Sequence, residues 1–230
     1  GNIVAMWPSH GWYFEPKLNR WEWQRARLMQ TVEDMYTHSY VLPFLIPMLE
    51  NAGAVVFTPR ERDYQTHEVI VDNDQPHKGG TYLESFKRQQ KNLKWQTAEG
   101  HGFAQYKAIY ESCDSPFTDG TTRYVPTVSS LRDEGIAQWI PNIPEEGKYA
   151  VYVTYQSYKN SVDDATYTVY HKGGATTFKV NQQMGGGTWV YLGTFEFDEG
   201  EHNYGMVSLS NHSKHNGVVS ADAVRFGGGM

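Results

Sequence analysis

Trp189 and Tyr191 stand two residues apart in the alternating run from Thr188 to Phe197. Residues i and i+2 of a strand face the same way, so the two rings share one side of a sheet. Exposed, such a pair is a stacking platform for the apolar face of a sugar ring. Buried, it is core packing, and both readings stay open at this level. Asn181, Gln182 and Gln183 lie just upstream. Their amides either read sugar hydroxyls or satisfy backbone groups beside the triple glycine Gly185-Gly186-Gly187. Trp189, Tyr191 and Asn181 are therefore the candidate carbohydrate-contacting residues. Asp222, held between Ala221 and Ala223, reads as a buried hydrogen-bond hub, with a cation site as the alternative. In the N-terminal part, His10 closes a short apolar run and Glu33 lies in a helical stretch. Taken alone, they read as a locally bonded imidazole and a solvated carboxylate.

The elements that must position these groups fall into two styles. Ile3 to Trp7 is a short apolar run ending at Pro8-Ser9-His10-Gly11, which predicts a buried strand and a loop. From Trp21 to about Asn51, apolar residues recur at threes and fours, which predicts a helix that Pro43 and Pro47 break or kink. Asn51-Ala52-Gly53 is a helix stop, and Ala54 to Thr58 reads as a second buried strand. Strand, helix and strand make a βαβ unit with parallel strands, and Glu68 to Asp72 is a candidate third strand. Residues 73–102 are polar, rich in turn signals, and read as a linker. Beyond them the period becomes two, with strands predicted over 149–155, 165–171, 176–180, 188–197, 205–209 and 218–226. Glycine-rich turns separate them, the pattern of an antiparallel sandwich. The expected class is thus α+β: an α/β segment over 1–72, a linker over 73–102 and a β-sandwich over 103–226.

Composition narrows the function classes. The 230 residues carry a net charge of −6, and no basic run matches a phosphate backbone, so nucleic acid is not the expected partner. Cys113 stands alone, which excludes an intrachain disulfide and a cysteine metal site. No stretch reaches the ~20 apolar residues of a membrane helix. The start, Gly1-Asn2-Ile3, and the end, Gly227-Gly228-Gly229-Met230, suggest a piece of a longer parent chain. An aromatic share of 14% suits a β-rich core or a glycan surface equally.

Several ordered motifs carry a resemblance. Tyr167-Thr168-Val169-Tyr170-His171, Gly174, Val180-Asn181-Gln182-Gln183, Trp189 with Leu192-Gly193, Val207 to Asn211 and Ala221 to Phe226 resemble the golvesin/xanthan-lyase carbohydrate-binding-like domain. Gly120-Thr121 and Ala137-Gln138-Trp139-Ile140-Pro141 extend the likeness upstream. It implies a β-sandwich attached to secreted enzymes that act on polysaccharide or cell wall. The first 63 residues resemble the opening of the zinc-dependent N-acetylmuramoyl-L-alanine amidase family. The likeness rests on His10-Gly11 after the first strand, Glu33 on the helix, and Thr58-Pro59-Arg60-Glu61-Arg62-Asp63 after the second. It implies His10 and Glu33 as zinc ligands, converging where parallel strands end. Ser9 departs from the family's Gly, and neither the third ligand nor the catalytic Glu is found in this chain.

These resemblances imply a fragment of a secreted zinc amidase-like hydrolase with an accessory carbohydrate-binding-like module, inactive as this chain alone. The alternative is a non-catalytic glycan- or wall-binding protein; a xanthan-lyase-type polysaccharide lyase ranks third. Expected partners are peptidoglycan or polysaccharide, and either a C-terminal remainder of the parent or a second copy docking on the α/β segment. The expected location is secreted, periplasmic or cell-surface.

Overall fold

The computed structural model describes residues 2–7, 11–25, 28–29, 32–58, 63, 65–88, 92–98, 101–107, 110 and 114–228. The chain divides into two compact units, Gly1–Arg62 and Asp63–Met230.

The first unit is small. Strands β1 (Asn2–Ala5) and β4 (Ala54–Phe57) pair in parallel, Asn2 opposite Ala54 through Ala5 opposite Phe57. Between them lie a hairpin of β2 (Trp12–Glu15) and β3 (Arg20–Trp23), then helices α1 (Glu33–Tyr40) and α2 (Ile46–Asn51). A π-turn over Val41–Leu45 joins the helices. It contains Pro43, whose missing N–H breaks the regular ladder, and α2 restarts with Pro47 in its first turn. Val41, Leu42, Ile46 and Val56 form its buried core.

The second unit holds the remaining strands: β5 (Glu68–Asp72), β6 (Gly80–Phe86), β7 (Gln96–Thr97), β8 (Arg123–Pro126), β9 (Gly135–Ile143), β10 (Gly147–Val153), β11 (Ala165–His171), β12 (Gly174–Val180), β13 (Val190–Phe197), β14 (Gly200–Glu201), β15 (Val207–Ser210), β16 (Val218–Ala221) and β17 (Ala223–Gly227). One sheet runs β13-β10-β17-β5, and the other β12-β11-β15-β9-β14, with β6 also paired to β9. A smaller sheet, β16-β8-β7, joins strands from mid-chain to one near the C-terminus. Among the described residues, every pairing between these named strands is antiparallel. Alternation does the sorting. In β11, Ala165, Tyr167 and Val169 turn into the core while Thr166 and Thr168 turn outward. Trp139, Tyr149, Tyr167, Phe197 and Phe226 fill the space between the sheets, and each such side chain contributes about 2 kcal/mol by burial.

Three expectations are corrected. The α+β class gives way to a chain that is nearly all β: the parallel β1–β4 pair is present but is a sheet of two strands, too small to make an amidase-like α/β domain. Trp21 to Trp23 is strand rather than helix, because it pairs with Trp12–Phe14 across a tight turn. The sandwich begins near Asp63 rather than after 102, since β5 completes one sheet against β17 and β6 flanks β9 in the other. Residues 68–72 are therefore not a third parallel strand, and 80–86 are not linker.

Candidate functional site

A strap of irregular chain is held by two carboxylates, the buried Asp222 and the part-buried Asp74. Asp222 sits fully buried between β16 and β17, and the Phe103 N–H donates to both its oxygens, at 3.1 and 3.0 Å. Asp74 accepts from the Thr121 N–H and hydroxyl, each at 2.5 Å. Gly102 and Gly120 exchange backbone bonds of 2.9 Å in both directions, and Ala104 N–H donates to the Pro116 carbonyl. Phe103 packs edge-on to Phe117 and tilts against Trp189. Burial raises the Asp222 carboxyl well above the usual range, and the neighbouring Asp72 and Asp74 add to the rise. Burial likewise pushes Asp72 up to about 7, partly offset by the Asp74 N–H that it accepts.

Beside the strap an open cleft of about 610 Å³ lies between the start of β5, the residues entering β6, the end of β9 and β14. Its walls mix polar side chains, Glu68, His77, Lys78, Gln105, Asn142 and Glu201, with an equal share of apolar surface from Val69, Ile70 and Pro144 among others. A cavity of about 20 Å³, lined by Asp72, Gln75 and Phe103, shares Ile70, Lys78 and Gln105 with the cleft. Lys78 Nζ donates to the Gln105 carbonyl at 3.3 Å and so links the two walls. Burial pushes the Glu68 carboxyl up, and Arg225, 3.9 Å away, pulls it partly back. Nothing in this set pairs a nucleophile with a base. Donors and acceptors lining an open cleft suit the recognition of hydroxyl-rich molecules.

The three candidate carbohydrate-contacting residues are dispersed among other duties. Trp189 is half-buried, packed on Phe103 and Phe117, with the Arg225 guanidinium 5.5 Å from its ring. Tyr191 is also half-buried; it tilts against Tyr152, and its hydroxyl pairs with Thr194 at 2.9 Å. Arg225 lies 4.2 Å from the Tyr152 ring, so one cation bridges the surroundings of both aromatics. Asn181 turns its side-chain oxygen onto the Gln183 N–H, a local turn. Gln182 takes the backbone-satisfying role outright: fully buried, it donates to Tyr167 and the Ser220 carbonyl and accepts from the Ser220 N–H. Asp222 is the hub that its sequence setting suggests.

Glu33 opens α1 with an exposed side chain, and His10 lies outside the described residues, so the zinc pair has no described geometry. Among the described residues, metal-ligand atoms gather at Asp163, Asp164 and His215, within 4.8 Å of one another. That group is already internally bonded: His215 to Asp163 at 2.7 Å, and Ser213 to Asp164 at 2.5 Å.

Sequence reasoning missed the cleft. Its residues come from four stretches far apart in the chain, and each stretch looks like ordinary turn chemistry. One signal was present: consecutive glycines, Gly79-Gly80, at a strand entry mark a close backbone approach.

Comparison with known proteins bears on the same region. The family model of the Golvesin C-terminal domain matches residues 111–228, from the strap to the end of β17. A xanthan lyase of Bacillus sp. (strain GL1) is 39% identical over 88 residues, 37% of this chain and 9% of that protein. A solved xanthan lyase from Paenibacillus is 26% identical with a TM-score of 0.50, over 70% of this chain and 13% of that one. The C-terminal CBM6 of LamC from Zobellia galactanivorans is 10% identical with a TM-score of 0.38, over 70% of this chain and 99% of that module. The chain thus spans only a small part of the xanthan lyases that it resembles. The expected amidase relationship of residues 1–72 finds no support here, and with it falls the expectation of a peptidoglycan amidase.

Proposed function

Starting from a chain that belongs to the Golvesin C-terminal domain family, we propose that it is a polysaccharide-binding module of a larger secreted or cell-surface protein, without catalytic machinery of its own. The observation that carries this reading is the open cleft, walled by Glu68, His77, Lys78, Gln105, Asn142 and Glu201. A cleft of about 610 Å³ has room for one or two sugar rings, and its openness to solvent suits a polymer rather than a captured small molecule. Its charges are of both signs, so both hydroxyls and the occasional carboxylate of a polysaccharide find partners along it. The relation to xanthan lyases supports xanthan as the first polymer to try.

Electrophoresis of the folded chain through native gels containing xanthan, or a panel of neutral and acidic polysaccharides, tests the reading. Retardation by at least one polymer is expected, reduced about tenfold in apparent affinity by Lys78→Ala or Asn142→Ala. Mobility unchanged by every polymer, or retardation indifferent to both substitutions, would overturn it.

A further inference from the structure

Of the two carboxylates that line the cleft, Glu68 and Glu201, the first rests on an organised support. Glu68 and Ile70 stand two residues apart in β5, so their side chains share the outer face of the sheet, and both line the cleft. In register, Ile70 lies opposite Arg225 and Glu68 opposite Gly227. Arg225 therefore rises from β17 on that same face. Its guanidinium lies 4.2 Å from the centre of the Tyr152 ring and 5.5 Å from that of Trp189. The stack places a positive charge 3.9 Å from Glu68 Oε2. Backbone supplies the remaining support. Gly228, just past β17, has φ +80, and a Cβ on it would come within 2.6 Å of Glu68 Oε2 and 2.7 Å of its Cβ and Cγ. The Glu68 side chain thus lies directly on bare backbone, with the Arg225 charge at its head.

Exposure divides the roles. The Glu68 side chain is 39% exposed and the Arg225 side chain 12%, so a ligand in the cleft meets the carboxylate rather than the guanidinium. At 3.9 Å the ion pair is outside hydrogen-bond reach, and it orients the carboxylate without using up its acceptor sites. The two oxygens of a carboxylate accept from two donors side by side, and neighbouring hydroxyls of a pyranose ring present donors in that way. The same group repels a second carboxylate brought against it.

We infer that Glu68 selects the sugar unit in the cleft: its carboxylate accepts from two adjacent hydroxyls of an uncharged pyranose, and Arg225 is the positioning residue that holds it there. The inference rests on the polysaccharide-binding reading and adds to it the class of unit recognised. Arg225 also bears on the charge of the carboxylate. Desolvation raises the Glu68 carboxyl above its ordinary range and Arg225 pulls it partly back, while His77, Lys78 and Glu201 share the cleft. Accepting from both hydroxyls needs the ionised form, so affinity falls as pH falls through this raised pKa. Without Arg225 the fall begins at a higher pH.

The test titrates the full chain, Glu68→Gln, Arg225→Met and Lys78→Ala with xanthan, a neutral glucomannan and a polyuronate, from about pH 8 down to about pH 4. Melting curves establish that each variant is folded, and Arg225→Gln serves if Arg225→Met is not. Glu68→Gln keeps the size of the side chain and exchanges one acceptor for a donor; it is expected to weaken binding about tenfold. Arg225→Met is expected to weaken binding about threefold at pH 8 and to move the acid loss of affinity to higher pH. Unchanged or tightened binding by Glu68→Gln overturns the inference, and the cleft reading stands wherever Lys78→Ala still loses affinity. Retardation of the unaltered chain by the polyuronate alone overturns it as well, since the recognised unit would then be charged. A pH profile in the Arg225 variant that coincides with that of the unaltered chain overturns the positioning role. Binding by none of the proteins, the unaltered chain included, removes the cleft reading and this inference together.

Discussion

Asp72 and Asp222 are single carboxylates on neighbouring strands, and burial rather than a partner charge governs both. The consequence is a stability that falls as the solution becomes more alkaline. The folded-state pKa of Asp72, about 7, stands above its ordinary value of 3.8. The folded protein therefore holds this proton more tightly than the unfolded chain. Its stabilising contribution is fully present below about 3.8 and is lost as pH rises through about 7. Asp222 acts in the same direction, so removing Asp72 reduces the slope without abolishing it. Urea midpoints of the unaltered chain should fall between pH 5 and pH 8, and those of Asp72→Asn should fall less. The asparagine keeps the oxygen that accepts the Asp74 N–H. A steeper decline in the variant would show that the Asp72 carboxyl is not the buried proton holder described here. Gln182 and Asn181 make the complementary point. They are adjacent amides of nearly the same chemistry, yet one is enclosed and fully bonded while the other sits in a surface turn.

At the scale of elements, the corner between β5 and β6 builds the cleft. The chain leaves one sheet at Asp72 and enters the other at Gly80. Gly79 has φ +74, and a Cβ placed on it would meet the Ile70 carbonyl oxygen at 2.2 Å. Gly79→Ala therefore demands both a left-handed backbone and a backbone displacement, at a cost of at least ~2 kcal/mol. The measured outcome should be a lowered urea midpoint together with weaker polysaccharide retardation, because Lys78 and His77 flank the displaced residue. A fully stable Gly79→Ala protein with intact binding would mean that the corner is looser than described. The period-two pattern made the later strands legible, from 149 to 226, since burial on one face of an antiparallel sheet imprints itself on every second residue. It did not reveal β6 as a sandwich strand. Its residues, Gly80 to Phe86, carry Glu84 and Ser85 among aromatics, and what makes it a strand is the partner β9.

For the whole molecule, the division at Asp63 predicts that residues 63–230 fold alone. They contain both sheets and the large buried cluster around Trp139 and Tyr167. Expressed separately, they should unfold in one cooperative urea transition and keep the polysaccharide affinity of the full chain. A fragment lacking a cooperative transition would place part of the core in the first unit. The net charge of −6 does not favour a nucleic-acid partner, and no helix among the described residues is long and apolar enough to cross a membrane.

Sequence alone determined the sandwich, its antiparallel strands, the proline-broken helix and the buried role of Asp222, because each is written in local periodicity, turn chemistry or the company of neighbours. It misled at Trp21–Trp23, where a helical spacing of apolar residues was overridden by pairing with Trp12–Phe14. It misled again at Glu68–Asp72, a run that looks the same whether its partner is parallel or antiparallel. Only the tertiary structure brought Glu68, Lys78, Gln105, Asn142 and Glu201 around one cleft. The reason is physical: a strand's sequence records which of its faces is buried, but not which strand lies beside it. A site assembled at the edges of two sheets depends on that second fact.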